Sequence, residues 1–592
     1  MIGHRAQQRS LETAASSRTD DDHVRGHLGG EVAHRLARVT DEQLGASTGD
    51  PEQMRELGDG GFTFGAARRV EAVELLGRLR TPRKTRTVHE RRVVFGDHRD
   101  DDDLGVGPEQ PEPGACRPVR EVRPIRTQHD DVAHVVRNYR HMTATWEERR
   151  LAGRELRKAV PRSAHAEWNP PSDRPNPVDV LEAQGRTRVQ ALLPIRYGRM
   201  AQSPFAFYRG GAAIMAMDLS SLPATGLRVQ ACGDAHVSNF GKFATPERNM
   251  VFDINDFDET LPGPWEWDVK RLAASLQVVG HQRGFLRSSC ESIVTTAVRS
   301  YREHMADAAK MRTLELWSAR LAIKDVLSHF PAKYRPTVQR DVDKAQGKDQ
   351  QRAVAKLTDR VDGNVKFVEN PPLVVHIDNT EHGMGDVAPT LAAYRENLAH
   401  DLQHLFDRFR LTDVARKVVG VGSVGTRCWI CLFEGPDLPR GDRMILQVKE
   451  AVASVLEPYV GASTLGHHGL RVVAGQRITQ AASDIFLGWT EGTNTGHEYY
   501  VRQLWDRKGS SNPMRMDVSN LSYYGALCAM ALARAHARTG DPVQIAGYLG
   551  KSDTFDRAIA AWSAKYASTN NDDYAALLDA IQSGRLEAST EF

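Results

Sequence analysis

The chain of 592 residues balances 78 Lys plus Arg against 76 Asp plus Glu, a net charge of +2, so nothing in its overall charge points to nucleic acid, a membrane surface or an acidic partner. Six cysteines, at 116, 232, 290, 428, 431 and 528, are too few and too scattered for a disulfide framework. No run of about 18 apolar residues exists and the first residues lack the apolar core of a signal peptide, which makes the cytoplasm the expected location and three or four domain-sized units the expected scale.

Residues 1–141 stand apart from the rest. They are crowded with Arg, His and Asp, hold one lysine (Lys84), one tyrosine (Tyr139) and no tryptophan, and show a helical pattern only over 70–79. Two readings stand: a disordered extension that buries too little apolar surface to offset its ordering entropy, or a chain whose translation starts at Met142. The abrupt change at Met142 into a normal amphipathic pattern favours the second, and no function is assigned to this stretch.

Glu147 to Val160 reads as a helix stopped by Pro161, Asn169 to Pro177 as a proline-rich connector, and Val178 through Leu192 to Pro194 as a second helix. Arg196, Arg199 and Arg209 follow, interleaved with Tyr197, Phe205, Phe207 and Tyr208. Guanidinium forks match phosphate, and they match carboxylates equally well, so these arginines are either anion contacts or partners of the acidic stretch downstream.

That stretch, Val229 to Thr260, is the chemical centre of the sequence. Leu227, Val229 and Ala231 alternate as a strand that breaks at Gly233 into Asp234, His236 and Asn239. Met250 to Ile254 forms a second strand and ends in Asn255, Asp256, Phe257, Asp258 and Glu259. Two strand ends would deliver carboxylate and amide oxygens to one edge, a donor set that suits a hard cation such as magnesium. Asp234 and Asn239 lie five apart, like the base and the metal-binding Asn of a kinase catalytic loop, and Asp256-Phe257-Asp258 stands where a kinase carries Asp-Phe-Gly. Turn residues chosen for conformation alone are the bland alternative, and His236 is as compatible with a structural hydrogen bond as with proton transfer.

The motifs Arg196-Tyr-Gly-Arg-Met, Ser203-Pro-Phe-Ala-Phe-Tyr-Arg-Gly, Gly233-Asp-Ala-His-Val-Ser-Asn-Phe-Gly, Phe252-Asp-Ile-Asn-Asp-Phe-Asp-Glu-Thr and Trp267-Asp-Val-Lys-Arg-Leu resemble the bacterial family called domain of unknown function 2252. The resemblance runs from about Met142 to the C-terminus. It implies no reaction. The order Gly-Asp-x-His-x-x-Asn, then Asp-Phe-Asp, also resembles the aminoglycoside and choline phosphotransferases.

Asp268 to about Arg320 has helical spacing, Pro331 to Gly347 reads as a break, and Thr390 to Arg410 as a further amphipathic helix. From Ala415 the pattern becomes strand, glycine turn, strand, with Gly420, Gly422 and Gly425 in G-x-G-x-x-G spacing. A dinucleotide site needs a helix after the glycines. Strand follows here, and Met444 to Lys449 makes a third, so the arrangement resembles the phosphate-covering hairpin and phosphate-pairing lysine of kinases; a plain glycine hairpin is the alternative. Cys428-Trp-Ile-Cys431 lies in the second strand and reads as two buried thiols rather than a metal or redox pair. Val472 to Ser483 could carry a partner for Lys449, Asp484 to Trp489 and Tyr499 to Leu504 form a strand pair, and Tyr523 to Arg538 a strong helix.

In kinases the glycine loop and lysine precede the catalytic Asp, and here they follow it. The expectation is therefore an α+β, kinase-like two-lobed architecture in circularly permuted order. It carries a large helical insertion and a disordered or spurious N-terminal extension. Its segments are 1–141, 142–262 with the catalytic-loop-like motif, 263–412 helical, 413–510 with the glycine loop and lysine, and 511–592 helical. The expected function is a magnesium- and ATP-dependent phosphotransferase acting on a small-molecule hydroxyl, without nucleic-acid or membrane partners. Asp234 is the expected base with His236 beside it. Asn239, Asp256 and Asp258 are the expected metal ligands, with Asp253 and Glu259 in reserve. Gly420, Gly422, Gly425, Lys449, Arg196 and Arg209 are the expected nucleotide contacts. A metal-dependent phosphoester hydrolase and a non-catalytic nucleotide-binding module are the alternatives.

Overall fold

The computed structural model describes residues 144–589 except 330, 331, 334, 348, 349, 377–383, 505 and 506, all within one compact unit, Val122–Phe592. The expectations for residues 1–141, including the helix over 70–79, lie outside the described residues. Helix α1 (Trp146–Ala159) opens the described part, fixed by a reciprocal capping box between Thr145 and Glu148. Short helices follow at Pro177–Gly185, Leu193–Met200, Pro204–Gly210 and Ala212–Ser220. Strands β1 (Arg228–Ala231), β2 (Phe240–Ala244), β3 (Met250–Ile254) and β4 (Leu261–Pro264) then lead into two long helices, α2 (Trp265–Gln282) and α3 (Arg287–Ala308), which turn at Gly284 with φ of +71°. The hairpin β5 (Thr358–Val361) and β6 (Asn364–Phe367) and strand β7 (Val374–His376) precede helices Met384–Glu396 and His400–Phe406. The chain continues through β8 (Arg410–Lys417), β9 (Cys428–Glu434), β10 (Arg443–Glu450), helix α4 (His468–Thr479), β11 (Gly488–Glu491), β12 (Glu498–Gln503) and β13 (Gly509–Ser510). It closes on α5 (Val518–Thr539), α6 (Pro542–Leu549) and α7 (Thr554–Gln582).

Among the described residues the strands make an antiparallel six-stranded sheet in the order β11-β12-β10-β9-β8-β7, a three-stranded sheet β13-β2-β3, and the pairs β1-β4 and β5-β6. Both faces of the large sheet are covered. Trp429, Cys431 and Phe433 of β9 pack with Tyr394 and Phe406 from the preceding helices, while Ile430 and Leu432 pack with Ala353 and Phe367. This double burial explains the unbroken apolar run of β9, because neither face has to be polar. It also puts Cys428 and Cys431, three apart on a strand, on opposite faces as buried free thiols.

The largest core joins α2, α3, α5 and α7 to β1, β2 and β3. Trp265 stacks on Tyr301 with ring centroids 5.7 Å apart, Trp562 stacks on Tyr566 at 5.0 Å, and all four rings are buried. No helix among the described residues is long and apolar enough to cross a membrane.

The architecture is thus mixed α and β, with differences of detail from the sequence pattern. The helix expected from Val178 to Pro194 stops at Gly185, because Val189 donates its N–H to Gly425 O (2.8 Å) instead of continuing the helical ladder. The break expected over Pro331 to Gly347 contains a helix, Arg335–Gln346, whose Pro336 sits in the first turn where a missing N–H costs nothing. The helix expected from Thr390 to Arg410 is two helices, and Arg410 already belongs to β8. The expected segment borders at 262 and 412 fall inside β4 and β8.

Candidate active site

Register brings the two acidic loops together. Phe240 at the start of β2 pairs with Ile254 at the end of β3, and Ala231 at the end of β1 pairs with Leu261 at the start of β4, so residues 232–239 and 255–260 leave the sheets at one edge. Asn255 N–H donates to Asn239 O at 2.8 Å. Gly233 allows the approach: its φ is +78°, and a Cβ there would lie 2.4 Å from Glu259 O. The turn is held from behind by Asp268, in the first turn of α2. Its buried carboxylate accepts from Cys232 N (2.6 Å) and Gly233 N (2.9 Å), and His536 of α5 bridges it to the Tyr301 hydroxyl (3.1 and 2.9 Å).

Within this frame Asp234 Oδ1 accepts from Arg271 Nε at 2.6 Å. Arg271 is buried one helical turn beyond Asp268 and lies over the Tyr208 ring, 4.5 Å from its centre; burial alone would lower its pKa, but Asp234 holds it fully charged. Asn239 Nδ2 donates to Asp234 O at 2.7 Å, leaving its amide oxygen as the remaining acceptor. His236 Nδ1 accepts from Ser238 N (3.2 Å) and caps a short 3-10 turn, while Nε2 lies 3.8 Å from Asp234 Oδ2. Burial, followed by the charges of Arg209 and Arg271, pushes its pKa well below the usual imidazole range, so the ring is neutral at neutral pH.

The second loop meets the large sheet. Lys449, on β10 between Cys428 and Tyr500 of the neighbouring strands, bonds directly to Asp258 Oδ2. Asp258 also accepts from the Tyr500 hydroxyl (2.8 Å) and from Ser423 Oγ (3.2 Å), the serine of the glycine loop. Burial would raise the Asp258 pKa, yet Lys449, then the Arg502 charge and the Tyr500 hydroxyl, hold it at about 2. Asp256 has the opposite environment: burial, then the negative charge of Asp258, raises its pKa. Glu259 accepts from Val455 N (2.8 Å), and burial pushes it up to about 7. Helix α4 contributes Arg471, whose Nη1 donates to Thr260 O (2.7 Å) and Nη2 to Asp258 O (2.8 Å) and Val452 O (2.7 Å). The Lys449 partner is therefore Asp258 of the acidic loop, and α4, expected to carry that partner, contributes Arg471 to the same loop instead.

One cleft of about 820 Å³, its open mouth included, is lined by Asp234, His236, Asn239, Asp256, Asp258 and Glu259 on one side and by Gly420, Gly422 and Ser423 on the other. Arg188 and Arg209 line it as well. Gly425 lies in the same loop with φ of +93° against Arg188, and Gly420 has φ of +66°. Arg196 is elsewhere. It is fully buried, bonded through Nη2 to Gln184 Oε1 (2.6 Å), and burial lowers its pKa to about 9. Asp253 is also withdrawn from the cleft, in a buried ion pair with Arg534 Nη2 at 2.6 and 2.7 Å.

Sequence reasoning missed Asp268, Arg271, Arg188, Ser423, Tyr500 and Arg471. For the first two a signal existed: Asp268 and Arg271 share one face of a helix that begins five residues after the acidic loop, in the motif Trp267-Asp-Val-Lys-Arg-Leu. Tyr500 and Arg471 act across long sequence separations and carry no local signature.

Comparison with curated proteins finds no match. Comparison with solved structures finds none either. The family described as "Uncharacterized protein conserved in bacteria (DUF2252)" matches residues 188–580, about two thirds of the sequence. That span begins at Arg188 and takes in both acidic loops, the glycine loop and Lys449, and the chain belongs to this family.

Proposed function

We propose that the chain is a magnesium-dependent phosphotransferase that uses a nucleoside triphosphate, built on a circularly permuted kinase-like framework. The observation that carries this reading is the bond from Lys449 to Asp258, which joins the glycine-loop sheet to the acidic loops across a cleft shared by Asp234, Asn239, Asp256 and the glycine loop. The sheet supports it: the first two strands of the β8-β9-β10 run are connected by the glycine loop and the third carries the lysine next to its last residue, with helix α4 and two more strands after it, as in kinases. In place of the glycine of Asp-Phe-Gly stands Asp258, and it supplies the carboxylate that a kinase draws from its helix.

The permutation is supported by a second contact. Gln230 N donates to Thr539 Oγ1 at 3.1 Å across 309 residues of sequence, and a Cβ on Gly540 would meet Val229. Helix α5 thus ends where β1 begins. Joining the chain there would give glycine loop, lysine, helix, strand pair, helix, Asp234, Asp256, the kinase order.

The residues fit magnesium. Among the described residues no three His, Cys, Asp or Glu side chains form a ready cage, whereas Asn239 and Asp256 offer two oxygen ligands on one wall. Magnesium is commonly held by one or two protein ligands plus substrate phosphates and water, and it would supply charge neutralisation on the phosphates. Asp258 is committed to Lys449, Tyr500 and Ser423, so Asn239 and Asp256 are the assigned ligands. Asp234, oriented through Oδ1 by Arg271, keeps Oδ2 for an acceptor hydroxyl. Its proton passes to Oδ2 as the acceptor oxygen bonds to the terminal phosphorus, and the bond from that phosphorus to the bridging oxygen breaks to release the nucleoside diphosphate. His236, neutral and capping, positions the turn.

Calorimetric titration of the full chain with ATP, with and without magnesium, tests the reading. Magnesium-dependent binding is expected, lost on Lys449→Ala and retained in Asp234→Asn, whose turnover should fall by roughly 10² to 10⁴. Binding unchanged by Lys449→Ala, or turnover unchanged by Asp234→Asn, would sink it.

A further inference from the structure

The cleft contains cations in two states. Lys449 is neutralised by Asp258 and Arg271 by Asp234. Arg209 is different: among the described residues its guanidinium makes no hydrogen bond or ion pair, and its Nε is buried without a partner. Arg188 gives Nη1 to Val424 O (2.6 Å) and bonds no carboxylate among the described residues. Both line the cleft, and the charged groups that bear on Arg209 are Asp234 and Asp256, the proposed base and metal ligand.

These two arginines are also fixed to the glycine loop. Arg209 O would lie 3.4 Å from a Cβ on Gly422, and Arg188 Cβ 3.0 Å from one on Gly425. Val189 N donates to Gly425 O (2.8 Å), and Arg199 Nη1 to Gly420 O (2.6 Å). With Val424 O also taken, three carbonyls of the loop are occupied by the segment between Arg188 and Arg209. The loop is clamped rather than free to flap, and the segment that clamps it precedes both the acidic loops and the sheet in sequence.

Resting on the phosphotransferase reading, we infer that Arg209, assisted by Arg188, binds the terminal phosphate of the triphosphate and carries its charge during transfer, as a cation supplied in cis from outside the strand-and-loop framework. The chemistry favours this occupant. An unpaired guanidinium fork next to the base and below the glycine loop needs a multiply charged oxyanion, and the terminal phosphate is the group that must stand beside Asp234 for transfer. A role limited to balancing Asp234 and Asp256 is the competing account, and it predicts no distinction between nucleotides.

The test compares magnesium with ADP against magnesium with the non-hydrolysable β,γ-imido analogue of ATP, titrated into the full chain, Arg209→Gln, Arg188→Gln and Arg209→Lys. Loss of charge-assisted bonds to the terminal phosphate should weaken the analogue roughly 10- to 100-fold in Arg209→Gln and less in Arg188→Gln, with ADP affinity within about twofold of the parent. Arg209→Lys keeps the charge without the fork and should fall between; it carries the test if Arg209→Gln does not fold. Equal weakening of both nucleotides, or of neither, overturns the clamp while leaving the nucleotide site standing. A parent chain that binds neither nucleotide overturns both.

Discussion

Asp258 and Lys449 lie 191 residues apart, and their bond is what makes a site of two otherwise separate motifs. Lys449 is almost wholly buried, so removing either partner strands a charge in a poor solvent. Lys449→Met should cost roughly 3 kcal/mol in chemical denaturation, and Lys449→Met with Asp258→Asn should cost less than the two single changes together. Additive losses would mean that the pair is not coupled. A second buried group has a pH signature. His165 shares Nε2 with the Tyr548 hydroxyl (2.8 Å), its Nδ1 has no partner among the described residues, and burial followed by the Lys270 charge pushes its pKa to about 3. An unfolded histidine takes up its proton near pH 6.5, so between about 3 and 6.5 the unfolded chain binds a proton that the folded chain refuses. Stability contributed by this residue is complete above that window and declines as pH falls through it, by at most about 1.4 kcal/mol per unit. His165→Gln should flatten the slope between about pH 4 and 6 by one proton's worth; an unchanged slope would show that other groups set it.

Among the elements, the strand ends were the legible part. Alternation located β1 and apolar runs located β3, β9 and β10 to within a residue or two, and the polar clusters at the ends of β1 and β3 line one cleft with the glycine loop. Local pattern suffices there because a strand that buries its face leaves a polar terminus with nowhere to go but the sheet edge. What holds those ends is tertiary and left no comparable trace. Asp268 reaches back to the backbone of Cys232 and Gly233, Arg471 reaches across to the backbone of Asp258 and Thr260, and Val189 abandons a helix to pair with Gly425. Strand β2 left no such trace because Gly241 and the buried Lys242 interrupt its apolar run. Gly233 joins the two kinds of information. Sequence marks it as a break, and the fold demands it both for its positive φ and for the contact with Glu259. Gly233→Ala should destabilise the protein by at least about 2 kcal/mol and weaken magnesium-nucleotide binding with it, because the acidic loops must separate to admit the methyl group. A variant with unchanged stability and binding would mean that the two loops need not touch.

At the scale of the whole molecule the C-terminal end and the segment before the acidic loops meet on the glycine loop. Leu577 and Ala580 of α7 and Leu586 beyond it pack with Val178, Leu181, Tyr197 and Val421, and Val421 lies between Gly420 and Gly422. Ser589 N donates to Pro194 O (2.9 Å) and the Tyr574 hydroxyl to Ala201 O (2.7 Å), so the C-terminal residues brace the helix Leu193–Met200 that precedes Arg209. Under the permuted reading this is the place where the displaced ends of the framework are reused: chain that a kinase order would not need here supports the phosphate-covering loop instead. Leu586→Ala removes a buried side chain from this cluster and should cost roughly 2 to 3 kcal/mol. Ile293→Ala, in the core between α2 and α3, should cost a similar amount from a site remote in connectivity from the loop. If the brace positions the loop, Leu586→Ala weakens nucleotide binding several-fold at a temperature where both variants are folded, and Ile293→Ala does not. Equal effects of the two on binding would reduce the C-terminal contact to general stability and leave the clamp on the glycine loop to the arginine segment alone.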